Sequence, residues 1–293
     1  MARERGYALE QLASLTNLPT LPSVLYEILA ALQDPNVDFD SLKKIVYRDP
    51  ALVSRILRIA NSSYFGRRHP TSSLETAFFT LGLNEVIAIV SSVGVVNAFA
   101  HIGSRSFDRR VLWRHSLMTG LTSRLLSRKL DLQQQTLGEE FIAGLLHDLG
   151  HIIILEYFPE EFGTIIDGIN EGSNPSELER MILGNDHSEI SGYIAERWRF
   201  SPSLAEALRW HHLPEKSTIC PPLTRVVHFA DRMCSWREMD ERKITPSTPM
   251  ERPEVLKIIF PDATDSGLQG FAEQLGNLPD EFHKLEVLSE DML

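Results

Sequence analysis

The sequence has few cysteines and no segment typical of a leader or a membrane span. Cys220 and Cys234 are the only two cysteines among 293 residues, and no Cys-x-x-Cys pair occurs. This argues against a disulfide framework and against a thiolate metal site, and it favours a reducing compartment with buried thiols. The first residues are not apolar, and the most apolar run, Val86 to Ala100, is interrupted by serine, glycine and asparagine. We therefore expect a cytoplasmic protein.

Signals for β-strands are also scarce. The sequence has no Asn-Gly hairpin turn and no repeated period-two segments, whereas apolar residues recur at spacings of three and four. The pattern predicts an all-α fold. Helices are expected from Ser23 to Asp34, over 40–47, from Pro50, from Ser72 to Gly82 and from Asn84, then near 109–130, 138–157, 159–171, 175–183, 187–199, 201–212 and 221–235, with tail helices near 253–260, 265–276 and at the end.

Three parts are predicted along the chain. The composition changes near Val111, after which histidines occur beside small residues at positions expected to face inward. We assign 11–108 to an N-terminal helical part, 109–235 to a helical bundle and 236–293 to a C-terminal helical extension. The segment 240–253, rich in proline, threonine and charge, is interpreted as a mobile connection.

Positive charge is in the minority, since 29 basic residues face 40 acidic residues and the net charge is −11. This balance opposes nonspecific attraction to nucleic acid and to anionic membranes, so we expect neither as a partner. The one modest basic cluster is interpreted as a solvated face. It consists of Arg55, Arg58, Arg67, Arg68 and His69.

Residues with metal-ligand chemistry recur in the second half of the chain. A lone histidine on an apolar face is usually a hydrogen-bonded core residue, but ligands on several helices of a bundle can converge on its axis. Adjacent His147 and Asp148 suit one or two divalent ions, because the carboxylate beside an imidazole ligand can bridge to a second ion. The candidate ligands are His115, His147, Asp148, His187, His211, His212 and Asp231.

His151 is a further candidate. It follows His147 by four residues and would share its face on a continuous helix, as an additional ligand, an acid or base, or an anion contact. Asp148 and His151 are therefore the candidate catalytic residues. Nitrogen and carboxylate ligation is compatible with iron, manganese, zinc or nickel, and we favour iron or manganese.

The segment Leu-Leu-His147-Asp148-Leu-Gly150 resembles the HD superfamily of metal-dependent phosphohydrolases. A wider set of segments across about 11–235 resembles the HDOD family. The resemblance implies an HD-like helical bundle packed on an N-terminal helical subdomain. The segments are Leu18-Pro-Thr-Leu-Pro22, Asp49-Pro50-Ala-Leu, Ala60-Asn61-Ser62-x-Tyr64, Leu81-Gly82, Trp113-x-His115-Ser116 and Ala143-Gly-Leu-Leu-His147-Asp148.

Comparison with the HD pattern assigns the ligands and also shows departures. His115, His147, Asp148 and Asp231 match the basic pattern, and His187, His211 and His212 stand where the related HD-GYP phosphodiesterases carry further ligands. The GYP signature is missing after His212, which argues against hydrolysis of cyclic di-GMP. His151 replaces a lysine of those enzymes, and Val111 stands where they carry a carboxylate.

Two functions remain open. Many HDOD proteins resemble degenerate HD enzymes that act as output or scaffold modules, which implies a regulatory module that binds signalling proteins or responds to a cyclic nucleotide or other phosphorylated small molecule. The alternative is a metal-dependent phosphohydrolase or phosphodiesterase acting on a nucleotide or other phosphoester. The retained ligand set supports a metal site under either interpretation.

Overall fold

The computed structural model describes residues 3–15, 39–62, 70–99, 109–136, 138–241, 263–274 and 278–292, together with isolated positions between them. Every regular element in these ranges is a helix, and no strand occurs there, so the predicted all-α fold is confirmed. Most of the helix expected from Ser23, most of the 240–253 connection, the 253–260 helix and the Arg67 to His69 part of the basic cluster lie outside the described residues.

Five described helices precede residue 100, namely α1 (Tyr7–Ser14), α2 (Phe39–Val46), α3 (Pro50–Ala60), α4 (Leu74–Leu81) and α5 (Leu83–Ala98). The Asp49 side chain accepts a hydrogen bond from the backbone N–H of Ala51 and caps α3, while Pro50 occupies its first turn, as predicted. Helix α1 was not predicted. It is short and buries only Ala8 and Leu12, which is too weak a periodic signal.

The second half contains α6 (Arg109–Lys129), α7 (Glu140–Leu146), α8 (Leu149–Tyr157), α9 (Pro159–Asn170), α10 (Pro175–Leu183), α11 (His187–Arg197), α12 (Pro202–Trp210) and α13 (Pro221–Glu241), followed by α14 (Asp265–Gln274) and α15 (Leu278–Met292). The expectation of one helix over 138–157 was wrong, because the helix is interrupted at His147-Asp148, between α7 and α8. Apolar residues flank the His147-Asp148 pair and no proline lies within 138–157, so the sequence gives no strong stop signal there.

Glycines let α6 and α7 cross at close range. A Cβ on Gly144 would lie 2.7 Å from the Cα of Gly120, and a Cβ on Gly120 would lie 2.8 Å from the carbonyl oxygen of Phe141. Real Cβ atoms do not approach so closely. The crossing places the C-terminal end of α7, and with it His147, beside His115 of α6.

A third glycine joins α8 to α11. A Cβ on Gly150 would lie 2.0 Å from the carbonyl oxygen of His187, and the backbone N–H of Gly150 donates to the Ser191 hydroxyl at 2.8 Å. The glycine two residues after Asp148 therefore serves helix contact, and it holds the start of α11 against the start of α8.

The beginning of the described chain packs on the loop before α11. We call residues 3–9 the N-terminal strap. The backbone N–H of Gly6 donates to the carbonyl oxygen of Gly184 at 3.1 Å, and the N–H of Leu9 donates to the Asn185 side chain at 3.4 Å. Gly184 has a φ of +73°, and a Cβ there would lie 2.0 Å from the carbonyl oxygen of Glu4. The strap thus touches the residues that lead directly into His187.

Among the described helices, none by itself is long and apolar enough to cross a membrane. Helices α4 and α5 reach that composition only when taken together, across a bend of 108°.

Candidate metal centre

All of the predicted ligands meet at one place in the helical bundle. His115 lies on α6 and Asp231 on α13, while His147 and Asp148 form the break between α7 and α8. His187 is the first residue of α11. His211 and His212 were expected inside a helix over 201–212, but α12 ends at Trp210 and the pair lies in the following turn. His211 still has helical dihedral angles, but the N–H of Leu213 donates to the Trp210 carbonyl and closes a tight turn ahead of Pro214.

Four donor atoms, one of them an oxygen of Asp148, form a first set. The Nε2 atom of His115 is 3.1 Å from Asp231 Oδ1 and 3.7 Å from Asp148 Oδ2. The Nε2 atom of His147 is 3.3 Å from Asp148 Oδ2 and 3.7 Å from Asp231 Oδ1. Two imidazoles and two carboxylates therefore face a common point.

The other oxygen of Asp148 faces a second set. Asp148 Oδ1 lies 3.5 Å from the Nε2 atom of His187 and 3.8 Å from that of His211. His212 completes this set, since its Nε2 atom is 2.8 Å from His187 Nε2 and 3.1 Å from His211 Nε2. Asp148 is thus shared between a set with two histidines and a set with three.

The donor spacing fits ions of the kind that imidazole and carboxylate bind. Two donors that each lie about 2.1 Å from one ion are roughly 3.0 to 3.4 Å apart. Among the described residues, the fully buried Nε2 atom of His147 has no hydrogen-bond partner, a condition that is costly unless a cation completes it. Facing nitrogens of His187 and His212 likewise need a proton or a cation between them, because two lone pairs repel. The residues present fit a divalent metal centre.

Hydrogen bonds on the far side of three rings fix which nitrogen faces the centre. The Nδ1–H of His147 donates to the Gly144 carbonyl at 2.7 Å, and that of His211 donates to the Leu208 carbonyl at 2.8 Å. A carbonyl can only accept, so the proton of a neutral ring stays on Nδ1 and Nε2 keeps its lone pair for a ligand. The Nδ1 of His187 faces a carboxylate at 2.6 Å, which has the same effect.

The carboxylates of the centre are held in their charged form. Burial opposes ionisation, but His147 beside Asp148 and His115 beside Asp231 outweigh it and keep the pKa of both carboxyls well below the usual range. Burial also opposes protonation of His147, yet Asp148 and Asp231 raise its pKa to about 9. In the absence of metal, His147 therefore carries a proton where a cation would bind.

The histidines of the second set differ among themselves. Burial and the neighbouring His187 lower the pKa of His212 to about 4, and burial together with His212 holds the pKa of His211 well below its usual range. Burial opposes protonation of His187, but Glu179 and Asp148 raise its pKa to about 9. Without metal, His187 therefore carries the positive charge of this set, and His211 and His212 are neutral. A bound ion would replace that proton and accept a lone pair from each ring.

His151 lies at the edge of the second set. Its ring stacks on that of His187 with 4.0 Å between centroids, and its Nε2 atom is 3.9 Å from Asp148 Oδ1. The ring of His147 instead contacts His115 and His211. The expectation that His147 and His151 share one helical face was wrong, because the break between α7 and α8 separates them.

Sequence reasoning missed two residues that support the centre. The carboxylate bonded to His187 belongs to Glu179 on α10, which is fully buried; burial opposes its ionisation, but His187 outweighs it and lowers the pKa of Glu179 to about 2. Glu206 on α12 accepts the hydroxyl of Ser217 and the backbone N–H groups of Thr218, Ile219 and Cys220. It fixes the connection between two ligand-bearing elements. Neither glutamate lies in a motif, and only burial distinguishes it from surface glutamates.

Comparisons with known proteins give the same family. The HDOD domain family matches residues 18–214. A protein of Treponema pallidum (strain Nichols) that carries no functional description is 27% identical over 264 residues, which cover 89% of this chain and 49% of that protein. The chain thus spans about half the length of this curated relative.

Solved structures agree on the fold. An HDOD domain protein of unknown function from Geobacter sulfurreducens has a TM-score of 0.79 at 22% identity, covering 98% of this chain and 97% of that chain. A protein from Shewanella amazonensis SB2B, described as a candidate phosphohydrolase, has a TM-score of 0.73 at 22% identity, covering 99% of both chains. The resemblance seen in the sequence is confirmed, and this chain belongs to the HDOD family.

Proposed function

We propose that this HDOD protein holds two divalent ions and hydrolyses a phosphoester. The observation that carries the proposal is the position of Asp148, whose Oδ2 atom faces His115 and His147 while its Oδ1 atom faces His187 and His211. A carboxylate between two donor sets is the arrangement that two-ion hydrolytic sites use. His212 and Asp231 complete the two sets.

The side chains of the two donor sets would hold the ions, and His151 beside them would help to orient a phosphoester. When bound, the ions would supply Lewis acidity toward a phosphoryl oxygen and lower the pKa of a water molecule. Asp148 and Asp231 place negative charge that would hold the cations, and the Nδ1 bonds of His147 and His211 keep the rings aligned. His151 stands beside the second set, where it can accept a proton or contact the phosphate.

The open side of the centre indicates where a substrate enters. The side chain of His212 is 33% exposed and that of His151 is 22% exposed, whereas the side chains of His147 and His211 are fully buried. A phosphate that approached past His212 and His151 would reach the second set first. The missing GYP signature argues for a nucleotide or phosphoester other than cyclic di-GMP.

The test begins with metal content. Protein purified without a histidine tag, then reconstituted with iron or manganese, should hold about two equivalents; His147→Ala and Asp148→Ala should each lose metal. His283→Ala, an exposed histidine of α15 far along the chain from the centre, is the matched control. The loaded protein is then assayed with p-nitrophenyl phosphate, bis-p-nitrophenyl phosphate and cyclic dinucleotides. Absence of metal in every preparation would overturn the proposal.

A regulatory role is the second candidate. Val111, one turn before His115, is 47% exposed and offers no ligand where the HD-GYP pattern has a carboxylate. A centre without that ligand could keep its ions and lose turnover, acting as a module that binds a signalling partner or a phosphorylated small molecule. Metal retention with no hydrolysis of any tested phosphoester would favour this role over the enzyme.

A further inference from the structure

Glu179 lies behind the second donor set, and no sequence motif contains it. Its side chain on α10 is 1% exposed, whereas the next residue, Arg180, is 45% exposed and pairs with Asp186. A carboxylate buried to this degree requires partners, because an ionised group removed from water is costly. Both of its oxygens are directed at histidines.

One oxygen is fully used by His187. Glu179 Oε2 accepts the backbone N–H of His187 at 2.9 Å and its Nδ1–H at 2.6 Å. The short second bond is charge-assisted and sets the ring so that Nε2 faces Asp148 and His212. His187 therefore owes its orientation as a ligand to this carboxylate.

The other oxygen faces His151. Glu179 Oε1 lies 3.4 Å from His151 Nδ1 and has no hydrogen-bond partner within the described residues. The opposite nitrogen of the same ring, Nε2, is directed toward Asp148 Oδ1. Since a carboxylate can only accept, this contact favours the form of His151 that carries its proton on Nδ1 and leaves Nε2 as an acceptor.

We propose that Glu179 is a positioning residue shared by a ligand and by the histidine at the site entrance: Oε2 orients His187 and Oε1 sets the tautomer of His151. The inference rests on the proposed metal centre and deepens it. It gives His151 Nε2, the ring nitrogen directed toward Asp148, a defined role as an acceptor of a proton or as a ligand.

The variant Glu179→Gln separates the orientation of His187 from the control of the His151 tautomer. The two N–H donors of His187 oblige the carboxamide oxygen to take the place of Oε2, so the NH₂ group takes the place of Oε1. There it can only donate to His151 Nδ1, which moves the ring proton to Nε2. The substitution should preserve metal binding and invert the tautomer of His151, whereas Glu179→Ala should disturb both histidines.

The experiment uses the full chain loaded with Zn²⁺, which is diamagnetic. Long-range ¹H–¹⁵N spectra of the imidazole groups report the tautomers, and the loss of signals in His151→Gln assigns that ring. Zinc affinity is measured by competition with a chromophoric chelator. Glu139→Gln is the matched control, because Glu139 is also a buried carboxylate, and its side-chain hydrogen bonds within the described part of the chain come from Ser201 and Ser203.

We expect wild type and Glu139→Gln to show the proton of His151 on Nδ1, and Glu179→Gln to show it on Nε2 with both zinc equivalents retained. Glu179→Ala should weaken one zinc by about 10- to 100-fold. An unchanged His151 tautomer in Glu179→Gln, or wild-type zinc affinity in Glu179→Ala, would overturn the inference and leave the metal centre standing. If wild type binds no metal, the proposed function fails, and the tautomers of the metal-free protein still decide the role of Glu179.

Discussion

Asp148 owes its two-sided position to its backbone. With φ of −96° and ψ of 14°, it departs from helical geometry between α7 and α8. Within a continuous helix its side chain would project on one face, beside residues one turn away. At the break it projects between the ends of several elements, which is how each oxygen reaches a separate set of imidazoles.

Removal of one ligand from the second set should cost one ion. His212→Ala deletes a ring whose Nε2 atom faces His187 and His211 and whose Nδ1 atom faces Asp231 Oδ2, and it leaves His115, His147 and both carboxylates in place. We expect about one metal equivalent to be lost per chain, measured by elemental analysis, with His283→Ala unchanged. A loss of both ions would mean that the two sets do not bind independently.

Individual site residues were predictable to the extent that their chemistry is rare in a core. Histidine and aspartate among apolar neighbours at His147-Asp148 are conspicuous, because an unpaired buried charge is costly. Glu179 was not predictable. It stands between Leu178 and Arg180 in a helix that otherwise carries charge on its surface, so its sequence context is that of a solvated glutamate.

At the scale of elements, five of the seven candidate ligands lie at helix ends, and only His115 and Asp231 lie inside helices. His187 begins α11, His211 and His212 follow the end of α12, and Asp148 separates α7 from α8. The sequence predicted that these helices exist but placed the pairs inside them. Helix ends depend on what packs around the last turn, and the contact of Gly150 with His187 comes from residues far apart in sequence.

The close packing of α8 on α11 can be tested with glycine substitutions. Gly150→Ala would place a methyl group 2.0 Å from the carbonyl oxygen of His187, so we expect a loss of about 1 to 3 kcal/mol in the free energy of unfolding. Gly163→Ala in α9, where a Cβ would meet no atom within 4 Å, should be neutral or stabilising by up to about 1 kcal/mol. Urea unfolding measures both. Equal effects would contradict the packing argument.

The connection from α12 to α13 should depend on Glu206. Glu206→Ala leaves the backbone N–H groups of Thr218, Ile219 and Cys220 without their acceptor. We expect a cost of about 1 to 3 kcal/mol in unfolding free energy, since part of this connection is exposed and water can replace some bonds. Exposed Glu215→Ala is the control. A wild-type urea midpoint for Glu206→Ala would show that the connection is held by other contacts.

For the whole molecule, the ligands join helices that are distant in sequence, so metal should stabilise the fold. An ion present at 100 times its dissociation constant adds about 2.7 kcal/mol, which corresponds to a rise in Tm of roughly 5 °C for a chain of this size. Calorimetry with and without manganese measures the rise. Asp148→Asn should show little or none, and an equal rise in that variant would place the stabilising ion elsewhere.

The architecture as a whole was more predictable than its details. Apolar periodicity is a local property and yields the all-α class, and the motifs from Asp49-Pro50 to His147-Asp148 yield the family. The mutual placement of helices was not available from periodicity. It follows from close approaches such as Gly120 to Gly144, which the sequence does not pair.

Hydrogen bonds link the N-terminal strap to the residues that precede His187 of the candidate metal centre. Gly6 and Leu9 are bonded to Gly184 and Asn185, and His187 follows two residues later. A displacement of the strap would reach His187 through the short segment that begins at Gly184. His115 and His147 are positioned separately, by the glycine crossing of α6 and α7. Such a displacement would therefore disturb the second donor set and leave the first in place.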